Sequence, residues 1–68
     1  MKFECGKYYK HSSGKQIAVL MPVETTLRGK GLLAETNKTN ELEVVGTKEE
    51  NATGYTEITK DEWMKNFV

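Results

Sequence analysis

The residues best able to do covalent chemistry in this sequence are its one cysteine, Cys5, and its one histidine, His11. A thiol beside an imidazole can form a nucleophile–base pair, and both side chains are ligands that zinc prefers. If both residues lie on one extended strand, they are about 20 Å apart and cannot touch. We therefore expect no enzyme, no metal and no other cofactor. Cys5 is predicted to be a small core residue, and His11 to lie at the edge of a hairpin.

The strongest candidate binding site combines aromatic rings with cations around one predicted hairpin. Tyr8 and Tyr9 would stack bases while neighbouring lysines bind phosphates, as in small β-barrels that hold single-stranded nucleic acid. The competing interpretation places one tyrosine in the core and leaves the lysines in water at a sheet edge. Arg28 and Lys30 extend this patch if the strand order brings them near. The predicted binding residues are Lys7, Tyr8, Tyr9, Lys10, His11, Lys15, Arg28 and Lys30.

The charges balance, with 10 Lys and Arg against 10 Asp and Glu. Proteins that bind nucleic acid non-specifically usually carry a basic excess, so this balance argues against strong non-specific nucleic-acid binding but leaves room for a local basic face. Glu41, Glu43, Glu49 and Glu50 form an acidic cluster that is either a solvated face or a docking site for a basic surface. Together with the basic hairpin, this cluster polarises the chain, which suits protein docking or self-association.

The length of 68 residues predicts a single domain, residues 1–68, with a small core. No apolar run approaches the roughly 20 residues that cross a membrane, so we expect no membrane partner. The first residues lack the apolar stretch of a signal peptide. A lone cysteine without a secretory signal is typical of a cytoplasmic protein.

Alternating apolar residues and turn-forming residues predict five strands. Pro22 should end pairing on one side of the second strand, because proline donates no backbone hydrogen bond. The third strand should bend strongly at its glycines, residues 29–31. The predicted strands are 3–11, 15–23, 25–35, 41–46 and 55–58, with turns at 12–14 and 37–40 and a helical turn begun by Thr47 and Glu50.

Strand alternation also predicts which side chains face the core. In the second strand, Ile17, Val19 and Met21 should share one face. In the fourth strand, Leu42 and Val44 should point inward, with the glutamates between them in water.

The clearest local signal is the start of a helix over residues 60–67. Thr59 and Glu62 have the spacing of a capping box, and Ile58 and Trp63 have that of a hydrophobic staple. Trp63 and Phe67 are four residues apart and share a helix face. We expect this helix to fold back as a lid, with Trp63 plugging the open end of the sheet.

The predicted fold is therefore mainly β within the α+β class. It is either a small, bent antiparallel sheet of four to five strands or an SH3-like barrel, with one short C-terminal helix.

The segments 6–11 (GKYYKH) and 55–63 (YTEITKDEW) resemble parts of small uncharacterised proteins encoded by phages and prophages of Gram-positive bacteria. The resemblance implies a phage or prophage origin but no particular activity. With the charge polarity, it predicts a non-enzymatic protein-interaction module that acts on a host or phage protein or on itself. The alternative is a small nucleic-acid-binding β-barrel that uses the aromatic and basic hairpin.

Overall fold

The computed structural model describes residues 1–38 and 41–68, which form one antiparallel sheet and a short C-terminal helix. The strand order is β4-β3-β2-β1-β5, so β4 and β5 are the two edges of an open sheet. This confirms the mainly β class, and the bent sheet rather than a closed barrel. The predicted turn at residues 37–40 lies partly outside the described residues. The strands are β1 (Tyr8–His11), β2 (Gln16–Thr25), β3 (Gly29–Thr36), β4 (Leu42–Val45) and β5 (Tyr55–Ile58).

The hairpin between β1 and β2 forms as predicted. Gly14 takes a positive φ of 96°, and its amide donates to the His11 carbonyl over 2.9 Å. Glycine enters this region of backbone conformation at little cost, and this permits the tight reversal.

A second hairpin lies where the sequence predicted one bent strand over residues 25–35, and that prediction is wrong. β2 continues to Thr25 and then reverses, and β3 begins at Gly29. The Thr25 hydroxyl accepts the Arg28 amide at 2.9 Å, so the side chain satisfies the backbone inside the turn. The glycine signal therefore marked the return of the chain and not a bend within one strand.

The first strand is shorter than predicted, because the chain turns before it. Gly6 has a positive φ of 84°, and β1 begins only at Tyr8. Cys5 lies in this turn and is exposed, so its prediction as a core residue is wrong. Phe3 still reaches the core, because the turn folds it back over the sheet.

One face of the sheet, which we call the core face, carries the main hydrophobic core. Successive strands contribute Tyr9, Ile17 and Ala34 to it. Phe3 covers this face from the N-terminal segment, and its ring meets the Tyr9 ring edge-on at 5.0 Å between centroids. Ala52 covers it from a 3-10 turn, Glu49–Ala52.

That 3-10 turn begins one residue later than predicted. The Asn51 side chain accepts the Lys48 amide at 3.1 Å, in place of the predicted pairing between Thr47 and Glu50.

A β-bulge in the middle of β2 changes which face its side chains occupy. Val19 pairs with Ala34, but Met21 pairs with Leu33, so Leu20 is an extra residue in the strand. The extra residue moves Met21 to the face opposite the core. The predicted shared face of Ile17, Val19 and Met21 is therefore wrong at Met21.

Pairing around Pro22 follows the prediction. Paired residues of β1 reach only Ala18 of β2, whereas β3 pairs with β2 as far as Thr25. The missing amide of Pro22 therefore lies in a segment that has a neighbouring strand on one side only.

The predicted faces of β4 are inverted. Leu42 lies opposite Glu35 and Val44 opposite Leu33, on the side away from the core. Leu42 remains 58% exposed, whereas Val45 packs against the core cluster.

The C-terminal helix spans the predicted residues, as α1 (Lys60–Met64) followed by a 3-10 turn (Lys65–Phe67). Thr59 accepts the Glu62 amide at 3.2 Å, as the capping pattern predicts. Trp63 is only 4% exposed, but its ring faces Tyr8 at 6.2 Å between centroids. Tyr8 and the core residue Tyr9 point to opposite sides of β1. Trp63 is thus a lid on the second face of the sheet, not on the open end of the main core.

We predict that Trp63→Ala lowers the free energy of unfolding by about 3–5 kcal/mol, because the large buried indole leaves a cavity. Chemical denaturation followed by circular dichroism measures the change. Phe67→Ala is the control, since this ring is 51% exposed and should cost much less. Native Trp63 fluorescence with the long-wavelength maximum of a hydrated indole would contradict the lid.

Thr59→Ala should lower the free energy of unfolding by about 1 kcal/mol through loss of the helix cap. Thr59→Ser keeps the hydroxyl and should retain most of that stability. Equal losses in the two variants would show that the hydroxyl does not cap the helix.

Candidate functional site

The two hairpin tyrosines do not form a stacking platform. Tyr9 is 1% exposed, and its hydroxyl accepts the Glu4 amide at 2.9 Å. Burial raises the pKa of Tyr9 above its ordinary value. Tyr8 is half-buried next to Trp63 on the other side of the sheet. The two rings therefore lie on opposite sides of the sheet and do not form one surface.

Two of the predicted cations are engaged in ion pairs. The Lys7 Nζ lies 2.7 Å from a Glu4 oxygen and 3.6 Å from a Glu57 oxygen, and the Glu4 contact raises the pKa of Lys7. The Lys15 Nζ lies 2.7 Å from a Glu43 oxygen, which raises the pKa of Lys15. Lys15 immediately precedes β2, so its pair with Glu43 crosses β3 to connect the start of β2 with β4.

His11 ends β1 at the hairpin, where the sequence predicted it. Its Nδ1 accepts the Ser13 amide at 3.2 Å, and its ring meets the Tyr55 ring at 4.9 Å between centroids. Across residues 1–38 and 41–68, no three His, Cys, Asp or Glu residues are grouped to hold a metal ion.

The remaining predicted cations lie at distant points of the sheet. Lys10 is exposed on β1, whereas Arg28 and Lys30 are exposed at the β2–β3 hairpin. β2 has 10 residues, so the hairpins at its two ends are about 30 Å apart. The predicted binding set is thus split and does not form one surface.

The structure instead presents an exposed apolar surface on the second face of the sheet, beyond the part that Trp63 covers. We call it the open face and define it by Met21, Val23, Leu33, Leu42 and Val44. Register places these side chains on one side, because Met21 pairs with Leu33 and Leu33 pairs with Val44. Met21 is 52% exposed, and the other four range from half-buried to exposed.

Glycine shapes one end of the open face. A side chain at Gly31 would bring its Cβ within 2.6 Å of Val44, so glycine is what allows Val44 to lie across β3. Beside Val44 is a shallow depression of about 310 Å³, lined by Thr25, Thr26, Leu27 and Arg28. The open face therefore has a hollow at the β2–β3 hairpin and a projecting side chain, Leu42, at the other end.

Opposite charges border the two ends of the open face. Arg28 lies at the hairpin end, whereas Glu35 pairs with Leu42 at the far end. Glu35 is six positions beyond Gly29 along β3, which places the ends about 20 Å apart. An apolar centre between opposite charges can bind an apolar surface and also orient it.

Sequence reasoning missed the open face because it depends on the bulge and on the register of β4. One signal was present in the sequence. The second strand carries apolar residues on both of its faces, which indicates a strand that needs covering on two sides.

Comparison of the chain with protein-family models, curated proteins and solved structures finds no match. In the part of the chain that the structure describes, no helix is both long and apolar enough to span a membrane.

We predict that stability falls as pH rises above about 10, because burial raises the pKa of Tyr9 from its ordinary value of 10.0. The unfolded chain then releases this proton at a lower pH than the folded chain, so ionisation favours unfolding. Tyr9→Phe should weaken the alkaline loss and cost about 0.5–1.5 kcal/mol at neutral pH through the lost hydrogen bond. Denaturation curves measured from neutral pH to pH 11 test both effects. An unchanged alkaline slope in Tyr9→Phe would contradict the assignment.

Proposed function

We propose that this chain is a non-enzymatic protein-interaction module, of phage or prophage origin, that binds a host or phage protein through its open face. The observation that carries the proposal is the uncovered apolar side of β2, β3 and β4. Contiguous exposed apolar surface on a small protein commonly marks an interaction site. The core face of the same sheet is covered by Phe3 and Ala52.

The size of the open face indicates a modest affinity. The open face is three strands wide, at about 4.8 Å per strand, and at most about 20 Å long, so it presents at most about 300 Å². Burying this area on each partner is worth about 15 kcal/mol at 25 cal/mol per Å². Association itself costs about 4–15 kcal/mol, so the net free energy is small unless surrounding side chains add contacts. A regulatory or reversible contact fits these magnitudes better than a permanent complex.

The nucleic-acid alternative has less support, because Tyr9 is buried and Lys7 and Lys15 are paired with glutamates. The exposed cations Lys10, Arg28 and Lys30 are what support it. Oligonucleotide affinity that is unchanged by Tyr8→Ala would exclude base stacking on Tyr8.

Affinity capture with two matched methionine variants tests the proposed surface. The N-terminally tagged protein is incubated with a Gram-positive bacterial lysate, with and without nuclease. Met21→Lys places a charge on the open face, whereas Met1→Lys places a charge away from it, near Tyr55 and Ala52. The two methionines have comparable exposure, 51% for Met1 and 52% for Met21. We expect to capture a partner protein whose binding persists after nuclease treatment. This partner should bind the wild type and Met1→Lys but not Met21→Lys.

Two results would count against the proposal. Equal capture by Met21→Lys and the wild type would exclude the open face as the binding surface. Capture that disappears with nuclease would favour the nucleic-acid alternative. Circular dichroism of both variants verifies that they are folded.

A further inference from the structure

We propose that the open face binds a second copy of this chain around a two-fold axis, with Arg28 of each copy beside Glu35 of the other. This inference rests on the proposed function, because it uses the same surface. It adds the identity of the partner and the orientation of the contact.

The arrangement of charge makes the open face complementary to itself. Arg28 borders the hairpin end and Glu35 borders the far end, about 20 Å away along β3. A two-fold axis that lies between the two faces and runs perpendicular to the strands places each end of one face over the opposite end of the partner's face. One rotation therefore forms two arginine–glutamate pairs and leaves the apolar side chains between them.

The shape of the open face is compatible with the same two-fold symmetry. Leu42 projects at the Glu35 end, and the depression beside Val44 lies at the Arg28 end. The rotation that pairs the charges also brings Leu42 of each copy toward the depression of its partner. Shape and charge thus select the same orientation, which a non-specific apolar contact would not do.

The resulting assembly would complete a common architecture. Each copy has a sheet with one well-covered face and one partly covered face. Two such sheets pack about 10 Å apart with strands about 30° from parallel, as in a β-sandwich. The dimer would bury Met21 and Leu33 of both copies in a second apolar layer.

The contact area places the dimer in the weak range. About 300 Å² per copy is well below the roughly 800 Å² that stable complexes bury on each partner. We expect dimerisation to depend on concentration between about 10 µM and 1 mM, and to weaken at high salt, since screening reduces the two charge pairs.

Mixing two charge-reversal variants tests the symmetry. Arg28→Glu alone and Glu35→Arg alone each place like charges together twice, so each should self-associate about tenfold more weakly than the wild type. In a 1:1 mixture, an Arg28→Glu chain and a Glu35→Arg chain together form two opposite-charge pairs, one in the native sense and one reversed. Sedimentation velocity should then show association of the mixture close to that of the wild type.

Lys30→Glu is the matched control for Arg28→Glu. Lys30 lies on the same hairpin but pairs with Glu24 on the core face, so this reversal should leave self-association unchanged. If Glu35→Arg fails to fold, the self-association of Arg28→Glu is compared with that of Lys30→Glu. Both residues are exposed, and weaker association of Arg28→Glu alone would support the inference.

Either of two results would overturn the inference. One is a wild-type protein that stays monomeric up to 1 mM, and the other is a mixture that associates no better than the single variants. Neither result decides the proposed function, which stands or falls on the loss of a captured partner by Met21→Lys. A monomer that captures a partner through Met21 would therefore refute the dimer and retain the interaction module.

Discussion

The structure depends on the fact that a sheet has two faces, and a short chain has few residues left to cover them. The core face receives Phe3 and the 3-10 turn that holds Ala52. Among the described residues, the second face is covered by the C-terminal helix, whose buried contact is Trp63. A helix this short is unstable alone and is held by its tryptophan and its threonine cap. These elements do not reach the open face. Its side chains are exposed because the covering segments pack on other parts of the sheet.

The bulge in β2 decides what that uncovered area contains. Without the bulge, Leu20 would pair with Leu33, and Met21 would continue the core-facing series of Ile17 and Val19. With it, Met21 joins Leu33 and Val44 on the opposite side. Bulges often re-aim side chains next to functional surfaces, and here one residue places a large apolar side chain on a face that solvent reaches.

Local patterns in the sequence predicted much of this fold, but they did not predict the register between strands. The cap at Thr59, the hairpin at Gly14 and the strand at Tyr55–Ile58 depend on neighbouring residues, and all are confirmed. The faces of Met21 and Leu42 depend on pairing between strands, which alternation within one strand cannot reveal. The predicted binding residues are divided between different surfaces for a related reason. Adjacent tyrosines on a strand must point to opposite faces, and each had a covering aromatic, Phe3 or Trp63, elsewhere in the chain.

The central claim is that the side chains of the open face meet solvent in the monomer and are covered on association. Methyl NMR with a soluble paramagnetic agent measures this directly, since relaxation reports the exposure of each methyl group. We predict that Met21 and Leu42 relax strongly in dilute protein and become protected as concentration rises, while the methyl group of Met1 stays exposed. Methyl groups of Met21 and Leu42 that are protected at every concentration would contradict the exposed open face, and methyl groups that are exposed at every concentration would contradict its self-association.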